Sequence, residues 1–250
     1  IAEAFHQGAQ LIVLTSDRNP ALLNQREDQM IDQVGMYGKF VKKCVNLPIV
    51  NTDEDLWFCE RLVNEAILAT YQHGRGPVQI NIPMLSYYSR CNEPNILTAR
   101  KIDLCSYETP ADEWKKCADI LNGKKRIMVI CGQNNYTSPE FNSLLKEFGK
   151  KYKNVLLAEY MANIEVEDAI NPFLPFDTNT LSSNAFNEFL PEIVISLGTN
   201  VMSGIKAQLR QKAGLFEHWG VEESGNVVDM YKSLTKVFEC SPEYFLRYFI

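Results

Sequence analysis

Five short apolar runs, separated by stretches of helical spacing, constrain what this chain can fold into. They are Leu11–Leu14, Val78–Pro83 (VQINIP), Arg126–Cys131 (RIMVIC), Val155–Ala158 and Ile193–Leu197 (IVISL). Runs of this length suit strands buried on both faces of a parallel sheet, and strands alternating with amphipathic helices imply right-handed crossovers. The expected class is therefore α/β. Phe40–Leu47, Leu215–Val221, Val227–Tyr231 and Thr235–Phe238 read as further strands.

The helices announce themselves at their starts. Thr52 followed by Asp55 imitates a capping box, and Leu56, Cys59, Leu62, Val63, Ala66, Ile67 and Thr70 recur at helical spacing behind it. Thr109 as N-cap with Pro110 at the first position predicts a helix carrying Trp114, Cys117, Ala118 and Leu121 on one face. Ser138–Pro139 opens another, with Phe141, Leu144, Leu145 and Phe148 at i, i+3, i+4 and i+7, and Ser241–Pro242 opens an aromatic last helix. Lys206–Gln211 belongs to a further helix. Residues 171–180 read as an irregular loop, and residues 84–110 lack periodicity. Three segments follow: a first domain over 1–90, a linker over 91–110 and a second α/β domain over 111–250. Ile1, Ala2, Ala4 and Phe5 look like the last turns of a helix closed by Gly8, and no initiator Met precedes them; a piece of a longer protein is expected.

Bulk properties exclude several classes. A formal charge of -6 with no basic stripe argues against nucleic-acid binding. Seven dispersed cysteines with no C-x-x-C pair argue for reduced thiols and against a disulfide framework or zinc site. No apolar run approaches the roughly 20 residues that cross a bilayer, so a soluble, cytoplasmic protein is expected.

The candidate site lies where the first run ends. Thr15, Ser16, Asp17 and Arg18 arrive together, and Asn19–Pro20 turns the chain. Ligands of open α/β sheets sit at the carboxyl ends of the strands, so Arg18 falls where a small anion would be held. Its guanidinium suits a carboxylate through two parallel hydrogen bonds. The competing reading of Asp17 and Arg18 is a rim ion pair.

The order apolar strand, T-x-D-R-x-P (Thr15–Pro20), then D-Q-M-I-D-Q-V-G-M-Y-G (Asp28–Gly38), resembles the pyrimidine-binding domain of the SEPHCHC synthases. These are the thiamine-diphosphate enzymes of menaquinone synthesis that make 2-succinyl-5-enolpyruvyl-6-hydroxy-3-cyclohexene-1-carboxylate. The phrase G-P-V-Q-I-N-I-P is similar to the close of that domain. E-H-W, then G-x-V-x-D-x-x-x-S-L-T and an aromatic last helix, resemble the end of the family's central domain. The departure is Asn19, between Arg18 and Pro20. The resemblance implies the end of a pyrimidine-binding-domain sheet followed by a Rossmann-like (DHS-like) central domain. For the complete enzyme it implies thiamine diphosphate and Mg²⁺ as cofactors, decarboxylation of 2-oxoglutarate, and addition of the product carbanion equivalent to isochorismate. It assigns Arg18 to isochorismate and Gln29 to the cofactor-bound intermediate. It places the catalytic Glu and the diphosphate–metal domain outside this chain, so no catalytic residue is expected here and the chain alone is expected to be inactive. A homodimer or homotetramer is implied for the parent.

The turns Gly132–Asn134 and Gly198–Asn200 lack G-x-G-x-x-G and read as plain strand-to-helix turns. Many family members carry a Lys-Arg pair after the second of these turns. Here Gly204 and Ile205 stand there, with Lys206 one step beyond, so Lys206 is a substrate-binding candidate only if the turn shifts by a residue; otherwise it is a solvated helix lysine. His6, His73 and His218 have no nucleophile motif beside them, and His218 reads as a partly buried packing residue. Two other classes remain: a non-catalytic α/β binding module, and another thiamine-diphosphate enzyme such as an acetolactate synthase relative.

Overall fold

A computed structural model describes residues 1–86, 98–135, 138–178, 181 and 183–250, with 183 and 184 described by backbone alone. The chain divides into two compact units, Ile1–Lys101 and Ile102–Ile250.

In the first unit, helix α1 (Ala2–His6) precedes strand β1 (Ile12–Asp17), and strand β2 (Lys43–Asn46), helix α2 (Asp53–Ala69) and strand β3 (Val78–Pro83) follow. The sheet is parallel, in the order β1-β3-β2. The α2 capping box forms as expected: the Thr52 side chain accepts the Asp55 N–H, and Asp55 Oδ2 accepts the Thr52 N–H at 3.0 Å. Val45, Leu47, Ala66, Val78 and Ile80 make the buried core beneath α2.

β1 corrects the expectation of a strand buried on both faces. It is an edge strand paired only with β3, and Ile12 and Leu14 are 42% and 63% exposed. The reason is geometric, since the core beneath α2 is drawn from β2 and β3. Asn19 Oδ1 accepts the Ala21 N–H at 3.0 Å and caps a 3₁₀ turn, Pro20–Leu22, so the residue that departs from the family pattern makes the turn itself.

In the second unit the elements run β4 (Asp103–Ser106), α3 (Ala111–Gly123), β5 (Ile127–Cys131), α4 (Pro139–Tyr152), β6 (Val155–Ala158), α5 (Phe173–Asp177), α6 (Ser183–Glu188), β7 (Ile193–Leu197), α7 (Ile205–Arg210), β8 (Glu217–Val221), β9 (Leu234–Glu239) and α8 (Pro242–Phe249). They build a six-stranded parallel sheet of order β4-β9-β8-β7-β5-β6. Here the apolar runs behave as expected: every residue of β5 and β7 is buried. Ile127 and Val129 of β5 face the aromatic layer of Trp114, Phe148, Trp219, Phe238 and Phe245, while Met128 and Ile130 face Phe186, Ile205 and Leu209.

Five further expectations need correction. The linker expected over 91–110 contains β4, which pairs in register with β9, and α3 takes Pro110 as its N-cap while Thr109 Oγ1 accepts the Ser106 N–H at 2.8 Å. Residues 91–97 lie outside the described residues. Within the loop expected at 171–180, Phe173–Asp177 forms a helical turn. Val227–Tyr231 is no strand: Asp229 Oδ1 accepts the N–H groups of Ser233 and Leu234 at 2.9 Å each, and Lys232 turns at φ +58°. His218 is fully buried, its Nε2 2.8 Å from Ser196 Oγ.

Burial pushes the thiols of Cys131 and Cys240 up to about 12 from an ordinary value near 9. Between those values the folded chain holds protons that the unfolded chain has released, so stability falls as pH rises. The unfolding free energy from denaturant titration should fall above about pH 9, each of these thiols contributing up to roughly 1.4 kcal/mol per pH unit. The fall should become shallower in a Cys131→Ala, Cys240→Ala double variant, the raised thiols of Cys59 and Cys105 keeping part of it.

Candidate functional site

Alternation along the three strands of the first unit creates two chemically different faces. Side chains at i and i+2 share a face, and the register sets Cys44 beside Gln79 and aligns Thr15, Asn81 and Asn46 across the sheet. One face is apolar and covered by α2; the other carries Thr15, Asp17, Cys44, Asn46, Gln79 and Asn81. Gln79 and Asn81 are completely buried. Buried amides are tolerated only when their hydrogen bonds are made, and here they are. Thr15 Oγ1 donates to Asn81 Oδ1 at 2.7 Å, and Asn81 Nδ2 donates to Asn46 Oδ1 and Asp17 Oδ2 at 2.9 Å each. Gln79 Nε2 donates to the Gln33 carbonyl at 2.7 Å and to Thr15 Oγ1 at 3.1 Å, while Cys44 Sγ donates to Gln79 Oε1 at 3.3 Å.

This polar layer ends at Arg18. Asp17 Oδ1 accepts the Arg18 backbone N–H at 2.8 Å, so the carboxylate fixes the main chain of its neighbour. The Arg18 guanidinium pairs with Glu27 at 3.6 Å and Asp28 at 3.5 Å. Its side chain is 17% exposed. With Asp17, Asn19, Leu22, Met84, Leu85 and Ser86, Arg18 lines a cleft of about 220 Å³ at the carboxyl ends of β1 and β3. Gln29 does not line that cleft; it is exposed, at φ +55° in the turns after Asp28.

Lys206 lies in the second unit, on α7, beside a cleft of about 290 Å³ that Ser196, Asn200, Arg210, Gly220 and Glu222 also line. The two positions before it are closed to a cationic side chain. A Cβ on Gly204 would meet the Phe176 carbonyl oxygen at 2.9 Å, and Ile205 is fully buried. The turns after β5 and β7 face each other. Thr199 donates its N–H to the Gln133 carbonyl at 2.9 Å and Gln133 donates its own to Asn200 at 2.8 Å, while Gly132 leaves no room for a Cβ against the Thr199 and Asn200 carbonyls at 2.8 Å. The Gln133 and Thr199 N–H groups are therefore engaged with the opposite turn.

The layer of Gln79, Asn81, Asn46, Cys44 and Gln33 is absent from the sequence-based candidates. Its signal is the repeated polar i, i+2 pair, T-x-D in β1, C-x-N in β2 and Q-x-N in β3, at the ends of three apolar runs. Among the described residues no three His, Cys, Asp or Glu side chains gather as metal ligands, and no helix is long and apolar enough to cross a membrane. Replacing Asn81 by Leu strands the Asp17, Thr15 and Asn46 partners, and should lower unfolding free energy by about 2 to 4 kcal/mol by denaturant titration. The same measurement on the exposed Leu14→Thr should move it by well under 1 kcal/mol.

No protein-family model matches the chain. Individual relatives do. The 2-succinyl-5-enolpyruvyl-6-hydroxy-3-cyclohexene-1-carboxylate synthase of Phocaeicola vulgatus is 36% identical over 257 residues, covering 99% of this chain and 44% of that protein. The synthase of Bacteroides thetaiotaomicron is 35% identical with the same coverage, and that of Desulfotalea psychrophila 28% identical, covering 99% and 46%. The chain thus spans less than half the length of these relatives. Along nearly all of its own length the chain is similar to the matching part of the SEPHCHC synthases.

Proposed function

We propose that this chain is one segment of a longer thiamine-diphosphate-dependent synthase, and that its part is to receive isochorismate while the decarboxylated 2-oxoglutarate unit is delivered to it. Residues 1–90 would close the pyrimidine-binding domain and residues 111–250 form the central domain of a cytoplasmic homodimer or homotetramer. The observation that carries this reading is the position of Arg18: a mostly buried guanidinium lining a cleft at a strand's carboxyl end. Its pairs with Glu27 and Asp28, at 3.6 and 3.5 Å, are long, and Asp28 is 82% exposed. Such pairs contribute at most about 1 kcal/mol, so a substrate carboxylate able to make two charge-assisted bonds displaces them.

Thiamine diphosphate and Mg²⁺ would be held chiefly by residues of the longer protein beyond this chain, as the resemblance implies. What the chain supplies is orientation: Arg18 gripping a carboxylate and Gln29, once its turn folds inward, donating to the reacting adduct. Lys206 serves as a substrate contact only if the turn after β7 shifts by one residue.

Arg18→Ala in the longer polypeptide should raise the isochorismate KM tenfold to over a hundredfold, the loss of one charge-assisted contact of roughly 1.5 to 3 kcal/mol. The 2-oxoglutarate KM should stay as it was. An unaltered isochorismate dependence would remove Arg18 from the site. The purified 250 residues, given both substrates, thiamine diphosphate and Mg²⁺, should release no CO₂; sustained release contradicts the division of labour.

A further inference from the structure

We propose that Gln33 is a positioning residue for Arg18, acting through the Asp17 carboxylate. The inference rests on the reading of Arg18 as the isochorismate contact. Asp17 is the last residue of β1, and both of its oxygens are held by neutral donors: Oδ1 by Gln33 Nε2 at 3.3 Å and by the Arg18 N–H at 2.8 Å, Oδ2 by Asn81 Nδ2 at 2.9 Å. Gln33 Nε2 also donates to the Ser16 carbonyl at 3.0 Å, so one amide grips both the backbone and the side chain of the strand tip. Gln33 is in turn anchored through its own carbonyl by the fully buried Gln79.

The order of these bonds separates positioning from simple core stability. The bonds among Thr15, Asn46, Gln79 and Asn81 knit the three strands together. The Gln33 bonds lie one step further out, at Ser16 and Asp17, where the chain leaves the sheet and only Arg18 follows. They fix a main-chain direction, and with it where a six-atom side chain delivers its guanidinium. An error of about 1 Å in such a placement costs up to a hundredfold in rate.

The test is a double-mutant cycle in the longer polypeptide, with isochorismate and 2-oxoglutarate kinetics and a thermal melt for each variant. Gln33→Met keeps the side chain's length and removes its donor. It should raise the isochorismate KM about tenfold while leaving the 2-oxoglutarate KM and the melting temperature near the parent's. Combined with Arg18→Ala it should add almost nothing to the effect of Arg18→Ala alone, because a positioning residue has no role once its client is gone. If Arg18→Ala raises the isochorismate KM but Gln33→Met does not, or the two effects multiply, the positioning role is overturned and Arg18 stands. A Gln33→Met variant that lowers kcat and melting temperature and raises both KM values together shows a structural role only, which also overturns it. If neither variant moves the isochorismate KM, the reading of Arg18 fails and this inference with it.

Discussion

The bond from Asn81 Nδ2 to Asp17 Oδ2 is the interaction on which the first unit's candidate site depends. It joins a fully buried amide in the central strand to the carboxylate at the tip of the edge strand, and it does so on the sheet face that α2 does not cover. A carboxylate drawn partly out of water needs donors for its lone pairs, and Asn81, Gln33 and the Arg18 N–H supply them. The consequence is a strand end held by neutral donors, beside a guanidinium that pairs with Glu27 and Asp28 and lines the cleft.

The two units treat their sheets differently. In the second, β5 and β7 are apolar on both faces and sandwiched between helices, and the turns at the strand-order reversal between them bond to each other. In the first, one face of a three-stranded sheet is apolar and the other is a hydrogen-bonded polar layer. Polar layers give up burial energy for a defined geometry, and the unit that carries one is the unit with the substrate candidate at its edge.

Much of this was legible in the residues. RIMVIC and IVISL are apolar at every position that matters, so burial on both faces follows whatever packs there, and the Thr52, Ser138 and Ser241 caps mark their helices without reference to tertiary structure. Leu11–Leu14 lies at an edge of the described sheet, which its residues do not signal, because an apolar run says what a strand prefers and not where in a sheet it lies. Val227–Tyr231 has strand-like residues, but the Asp229 side chain competes for the backbone of the next turn and wins. β4 is four residues long and owes its pairing to β9, which lies over 130 residues away and leaves no local trace. Arg18 was found from its place after a strand. The polar layer behind it was not, because Q-x-N inside V-Q-I-N-I-P reads as an ordinary buried strand until the register sets Thr15 and Asn46 on either side of Asn81.

The account's central claim is that this strand tip, held by Asp17, presents Arg18 to a substrate carboxylate. The most direct measurement is a crystal structure of the longer polypeptide with isochorismate bound. The account predicts the Arg18 guanidinium within hydrogen-bond distance of an isochorismate carboxylate, its pairs with Glu27 and Asp28 released and the Asp17 bonds to Gln33 and Asn81 intact. Isochorismate seated on other cations, with Arg18 still paired to Glu27 and Asp28, would contradict it.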